Sequence, residues 1–538
     1  MLFKITIGDL SMRYIYEYRK KQERSFINLC VYESCIRHSL ILFSKHEIRR
    51  LLKDFIIEKD GNIVVKEDSF EFSFPGCLPQ KSLQRMGKFL AKVFKSKKGF
   101  VRKNNKAFVF VSYEKEREKD EQILLEFVDS STLDIDNENH INEVSNWIQF
   151  YKNLELSVSY ISLDKAKYIF GEIEYKLNER KEVIFEVEIK HRSISYSDED
   201  NSDNIDNFFE KKSCIIEHLY SAGLYQPRMI DLVDIISIDK VSNEIEKKIK
   251  NKFDKMYFEV IDKYSISKDN SEIKDIIGSV FEKYINVSNK TPNILFTVHN
   301  VGQALATSIQ IEFQNAKRLP LFYFDYGIAC HRNKKTCKPN LSLPADKNTI
   351  ILLSHIHEDH WCGFRNNKEA LESTWIIPQS PSKSLLKVLA DIKDKKGKIL
   401  LLNTSGNNIY FDKCINNICI KAGNHNVKSK GIHETGIALI IESNKNGDKY
   451  RILVSGDQKY QNHIPSFLLD INVLVASHHG GDYGRTISFP AHNNEKHHVI
   501  YSYGKNNTYS HPSKIKDYRS KAWNNEHHTI SGDYEIML

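Results

Sequence analysis

The sequence predicts an α/β layered domain over residues 291–538, preceded by an α+β region of one or two domains. Three observations lead there. Beyond Asn293 the chain becomes a series of short apolar strands ending in polar clusters, as when loops at the strand ends of a layered core carry the working residues. Just ahead of it, Ser288-Asn289-Lys290-Thr291-Pro292-Asn293 supplies turn residues that mark a boundary. Finally, 538 residues exceed what one core of about 100–200 residues uses, so two or three domains are expected.

Composition sets the class. With 41% hydrophobic and 28% charged residues the chain is neither collagen-like nor globally disordered. A net charge of +8 over this length argues only weakly for an anionic partner, so local clustering has to decide. The 9 cysteines are scattered without a CxxC spacing, which fits neither a disulfide framework nor a zinc ribbon and points to a reducing cytosol. No segment approaches the roughly 18 apolar residues of a membrane span, and the N-terminus lacks a signal-peptide pattern. A soluble, cytoplasmic protein without membrane insertion is expected.

Residues 1–136 read as a small α+β unit, with alternating segments at Ala107–Val111 and Ile123–Val128. Within it Lys81–Lys106 forms a basic amphipathic pattern: Leu83, Met86, Leu90 and Val93 recur at helical spacing among Lys81, Arg85, Lys88, Lys92 and Lys95. Such a helix is a solvated face, a surface that tracks phosphates, or a face for a membrane surface or an acidic partner.

Residues 137–290 read as a second α+β segment with a recognition or regulatory role. It contains a hairpin-like pair, Ile173–Leu177 and Val183–Ile189, in which Val183, Phe185, Val187 and Ile189 share one face. An acidic loop follows at Ser195–Asn204, then a helix with Ile245, Ile249, Phe253, Met256 and Val260 on its apolar side and another around Ile273–Ile285.

In residues 291–538 the strand ends carry the chemistry. Leu321–Phe324 stops at Asp325, followed by Gly327 for a tight turn. Ile350–Ser354 runs into His355, His357, Asp359 and His360, three imidazoles and a carboxylate within six positions. That mixture of nitrogen and oxygen donors binds zinc or manganese, and burying it for no purpose would be costly. Gly431-Ile432-His433 precedes the strand Ile437–Ile441, Ile452–Val454 ends in Gly456-Asp457, and Val473–Ala476 ends in His478-His479-Gly480-Gly481.

In this order Asp325, the His355–His360 motif, His433, Asp457 and His478/His479 resemble the ligand motifs of the metallo-β-lactamase superfamily. Within it, residues 293–538 look most like the hydrolase domain of the ComEC family of DNA-uptake proteins. Val301-Gly302-Gln303 resembles part of that family's opening Asp-Val-Gly-Gln-Gly-Asp strand, and Ser502–Pro512 resembles its Gly-Lys-Asn-Asn…His-Pro signature. Asn300, Ala304 and Leu305 depart from the first motif, and His357 stands where ComEC proteins often have Asp. The membrane helices and oligonucleotide-binding fold that accompany the ComEC domain are absent, so DNA transport is not implied.

The resemblance implies an αββα sandwich holding two divalent ions, zinc or manganese. It implies His355, His357 and His433 on one ion, Asp359, His360 and one of His478/His479 on the other, and Asp457 between them. Asp325 would orient imidazoles from behind. Of the pair, His478 is taken as the ligand and His479 as a phosphate contact, although spacing alone does not separate them. Lys505, Asn506, Asn507 and His511 would bind substrate, with Asp359, Asp457, Lys505 and His511 as the catalytic set.

The expected activity is hydrolysis of phosphodiesters. Nucleic acid, DNA first, is the leading substrate, and a regulated effector in a bacterial defence operon is one setting for it. A small phosphodiester, such as a cyclic nucleotide or phosphocholine ester, is the enzymatic alternative. A third reading makes the N-terminal half a docking module that binds a protein partner and holds the hydrolase inactive until then.

Overall fold

The computed structural model describes residues 2–6, 64–66, 69–73, 106–114, 122–133, 146–154, 156–171, 182–192, 213–219, 230–266, 270–285, 293–313, 317–338, 341–378, 381–402, 409–425, 436–445, 448–484, 497–521, 523 and 525–538. They fall into two compact units, 1–136 with 154–247, and 137–153 with 248–538. The expected middle segment, 137–290, is thus shared between the two. Of the sequence features named above, the basic segment before Lys106, the arm Ile173–Leu177, the loop Ser195–Asn204 and His433 lie outside the described residues.

In the first unit β1 (Leu2–Thr6), β2 (Val64–Lys66) and β3 (Ser69–Ser73) make a small antiparallel sheet in the order β1-β3-β2. The next six strands are β4 (Lys106–Glu114), β5 (Gln122–Asp129), β6 (Leu156–Ser162), β7 (Val183–Arg192), β8 (Ser213–Leu219) and β9 (Ile230–Lys240). They close into a barrel in the order β4-β5-β6-β8-β9-β7. Two-residue alternation is the cause: Val109 and Val111, Ile123, Leu125 and Phe127, and Val183, Phe185, Val187 and Ile189 all enter one buried cluster. Closure gives each of these six strands two neighbours.

The helices Ser130–Leu133 and Leu163–Phe170 accompany these strands, and the expected hairpin cannot be scored because its arm Ile173–Leu177 lies outside the described residues. β7 pairs with β4 and β9, strands distant in sequence, and non-local pairing is not visible to periodicity.

The second unit holds two seven-stranded sheets. The first, in the order β15-β14-β13-β12-β11-β10-β23, comprises β10 (Asn293–Val298), β11 (Ala306–Glu312), β12 (Arg318–Tyr326), β13 (Ile350–Leu352), β14 (Thr374–Ile377), β15 (Lys398–Leu401) and β23 (Tyr534–Met537). The second runs β16 to β22 in sequence order: β16 (Tyr410–Ile415), β17 (Ile418–Gly423), β18 (Ala438–Lys445), β19 (Asp448–Val454), β20 (Val473–Val475), β21 (His498–Tyr501) and β22 (Asn525–His528).

Phe296, Phe324 and Leu352 of the first sheet and Ile441, Val454 and Val475 of the second belong to one buried cluster, so the sheets pack face to face. The helix Lys383–Asp394 follows β14 and buries Leu385, Leu389 and Ile392. Lys387 of that helix donates to the Tyr151 carbonyl, tying on the helix Trp147–Asn153. The helix Ser271–Ile285 contributes Ile273, Ile277 and Phe281 to the inter-sheet cluster.

Among the described residues, short helical turns cover the outer face of the second sheet. There Tyr460, Phe467 and Tyr518 of short helical turns cover Ile440, Leu453 and Leu474, and the longest of these turns, Ile515–Arg519, has 5 residues.

Two smaller differences follow. Ile245 is exposed, although Ile249, Phe253, Met256 and Val260 of its helix are buried as expected. Cys414 and Cys419 face each other across β16 and β17 and form a disulfide, which their spacing did not suggest. Cys214, Cys330, Cys337 and Cys362 are unbridged.

Strands β12 to β15 run parallel, as do β19 to β22. The C-terminal ends of β12, β13, β19, β20 and β21 lead into Asp325, His355–His360, Asp457, His478/His479 and Ser502–His511 respectively. Among the described residues, no helix is long and apolar enough to cross a membrane.

Candidate metal centre

The site begins with backbone made to approach backbone. A β-carbon at Gly327 would stand 1.7 Å from the Asp359 carbonyl oxygen, so glycine is required for close approach at the end of β12 rather than for a turn. Asp325, at φ 61, and the adjacent pair His478 and His479, at φ 51 and 55, adopt left-handed conformations. Each costs a non-glycine residue about 1–2 kcal/mol, and such strain collects at functional sites.

These conformations turn imidazoles and carboxylates toward one another. His355, His360 and Asp457 offer donor atoms that lie within 4.8 Å of one another, and so do Asp359, His360 and His479. His360 Nε2 is 3.4 Å from Asp457 Oδ1 and 3.8 Å from Asp359 Oδ1. His479 Nε2 is 3.4 Å from Asp359 Oδ2, and His355 Nε2 is 3.8 Å from Asp457 Oδ2.

Spacing and orientation both test whether an ion fits. Donors about 2.0–2.2 Å from a tetrahedral ion lie about 3.3–3.6 Å from one another, close to the separations here, which are long for hydrogen bonds. Each imidazole is also held from behind. His360 Nδ1 donates to Asp325 Oδ2 at 2.8 Å, and Asp325 accepts from the Ser354 N–H at 2.7 Å. His479 Nδ1 donates to the Ser502 carbonyl at 2.7 Å, and His355 Nδ1 lies 2.9 Å from Ser354 Oγ. The opposite nitrogens of His360 and His479 are buried and make no hydrogen bond. This is how metal-ligating imidazoles are oriented, and the residues fit a divalent cation.

The electrostatics agree. Burial opposes ionisation of Asp457, yet His360, His478 and His479 hold its carboxyl well below the usual carboxylate range. Asp359 is lowered in the same way, by His360 and His479 against burial. His360 is held well above the usual imidazole range: burial pulls it down, and Asp457, Asp325 and Asp359 outweigh burial. Burial pushes the Asp325 carboxyl up despite His360 and Ser354.

The remaining predicted residues are placed as follows. His357 packs its ring 4.7 Å from that of His355. His478 Nε2 is 3.7 Å from Asp457 Oδ2, but His478 falls in neither compact donor group, whereas His479 does. His511 lies beside both, its ring 5.0 Å from His478 and 6.0 Å from His479. Lys505 and Asn506 are exposed on the same loop.

Asn507 clips that loop together. Its Nδ2 donates to the Gly504 and His511 carbonyls, and its Oδ1 accepts from the Tyr509 and His511 N–H groups. Ser354, Ser502 and Gln303, to which sequence reading assigned no role, make hydrogen-bond contacts with His355, His479 and His511 respectively. For Ser354 a signal existed, since it directly precedes His355.

No family model matches the chain, and no curated protein matches it. Among solved structures it is similar to MEM-A1, a subclass B3 metallo-beta-lactamase isolated from a soil metagenome library. The similarity covers 35% of this chain and 81% of that one, at 12% identity and a TM-score of 0.18.

Proposed function

We propose that the chain is a metal-dependent hydrolase of phosphodiester bonds acting on nucleic acid, DNA first. The observation that carries the reading is the convergence of His355, His360 and Asp457 with Asp359 and His479 at the ends of parallel strands from both sheets. His355, His357, Asp359, His360, Asp457 and His479 would supply the donors for two divalent ions, zinc or manganese. Such ions contribute Lewis acidity and a water that loses its proton near neutral pH.

The chain's own residues do the rest. Asp325 and Ser502 fix the rings of His360 and His479 so that one nitrogen of each is presented inward. Lys505 and Asn506 offer a charge and hydrogen bonds to a phosphate.

Support for a polymer over a small diester comes from the 3-10 turn His331–Thr336. Its Asn333 side chain accepts from the Thr508 N–H at 2.8 Å, fixing the turn to the same loop. Lys334, Lys335 and Lys338 are exposed there, extending the cationic rim beyond one phosphate.

The test is metal analysis of the purified full chain with cleavage assays on single-stranded DNA, duplex DNA, RNA and a panel of small diesters. Polymers should be cut by the zinc- or manganese-loaded protein and spared by Asp457→Ala. If every substrate stays intact and the variant behaves identically, the hydrolase reading is lost.

A further inference from the structure

One ring beside the centre has a hydrogen-bond direction that its neighbours dictate. Gln303 is buried, 1% exposed, and its main chain is fixed by an N–H donated to Thr336 Oγ1 at 2.9 Å. Its side-chain Nε2 lies 3.0 Å from His511 Nδ1, and its Oε1 accepts from the Gly504 N–H at 3.5 Å.

The second contact sets the sense of the first. With the amide oxygen toward an N–H donor, the NH2 must face His511, and an amide NH2 can only donate. His511 Nδ1 therefore accepts, and the ring's own hydrogen sits on Nε2. The reverse amide would oppose two donors at Gly504.

The Nε2 edge is the one turned to the loop of His478 and His479. A β-carbon at Gly481 would come within 2.4 Å of His511 Nε2, so the absence of a side chain at 481 is what allows the ring to lie there. Asn507 Oδ1 accepts from the His511 N–H at 3.0 Å and its Nδ2 donates to the His511 carbonyl at 2.8 Å, which fixes the ring's backbone as well.

We infer that Gln303 is a positioning residue that holds His511 in the Nε2–H form, so that His511 serves the hydrolase as a hydrogen-bond donor and not as a proton acceptor. A donor at this place suits the oxygen on which negative charge grows as a phosphodiester is attacked. The role in turnover rests on the hydrolase reading; the hydrogen's position does not.

Nitrogen NMR of the histidine-labelled full chain, metal-free, decides the second point, with the His511 signals identified by their loss in His511→Gln. Expected is an unprotonated Nδ1 and a protonated Nε2 in the wild type. In Gln303→Glu, whose carboxylate accepts, Nδ1 should become protonated. A protonated Nδ1 in the wild type, or no change in Gln303→Glu, overturns the assignment.

In the metal-loaded protein, at a pH where the His511 ring of Gln303→Glu is neutral and its one hydrogen sits on Nδ1, Gln303→Glu should lower kcat about 100-fold with KM within about twofold, and Gln303→Met, which keeps the volume and removes both hydrogen bonds, should give a smaller loss. An unchanged kcat in both variants overturns the role in turnover. A wild type that cleaves nothing, with the expected NMR pattern, removes the hydrolase reading and leaves the tautomer assignment standing.

Discussion

The middle of the sandwich strands and their C-terminal ends follow opposite rules only one residue apart. Phe324 of β12 belongs with Phe296, Leu352 and Val454 to one buried apolar cluster. Its neighbour Asp325 is equally buried but faces His360, Ser354 and, through them, a group of imidazoles and carboxylates. Apolar burial of the first kind stabilises the fold at about 25 cal/mol per Å2. Burial of the second kind costs free energy unless the charges are paired or an ion is bound. Substitutions in the two places should therefore fail in different measurements.

The largest effect is expected at His360, the residue common to both donor groups. His360→Gln should remove bound metal and lower the cleavage rate on the order of 1000-fold, with a cooperative unfolding transition retained. Metal retention at the wild-type level would break the contrast. Phe324→Ala should do the reverse: a loss of about 3–5 kcal/mol in chemical denaturation, with metal content per folded molecule unchanged. Asp325→Asn sharpens the boundary between the two regimes. The amide keeps the shape but its charge is gone, so metal affinity should fall about 10–100-fold while the denaturation midpoint moves little. A large drop in stability with unaltered affinity would make Asp325 a core residue and not an orienting one.

What the sequence showed and what it hid divide along the same line. Strand ends rich in donors were legible because apolar runs such as Ile350–Leu352 and Val473–Val475 stop abruptly at His and Asp, and those runs are strands. Which of His478 and His479 enters the donor group was not, because both adopt left-handed backbone, and that alters which way each side chain points without altering spacing.

Asn507 belongs to a polar loop, and that its hydrogen bonds close this loop was not legible in the sequence. Gln303 and His511 are 208 positions apart, and nothing local to either announces the contact. The barrel was hidden for a like reason: Val183–Ile189 alternates as a strand should, while its partners are distant.

The smallest expected effect probes an imidazole that the metal centre does not use. His463 follows the turn Tyr460–Asn462, is 2% exposed, and sets its ring 5.3 Å from that of Tyr460. Burial pushes it down to about 3, with only the Gln458 backbone opposing. Its folded value is below the unfolded one, so as pH falls past about 6.5 the unfolded chain gains a proton that the folded chain refuses. Stability should decline from there downward and be unaffected by this group above it. Between pH 7.5 and 5.5 the loss from His463 alone is on the order of 1 kcal/mol. His360, raised instead of lowered, acts with the opposite sign: its contribution is full below about 6.5 and is lost as pH climbs through its higher folded value. Comparing the pH dependence of unfolding in His463→Phe with that of the wild type isolates the first effect. The variant should lose less stability between pH 7.5 and 5.5, and an identical slope in both would mean that His463 takes up its proton in the folded state.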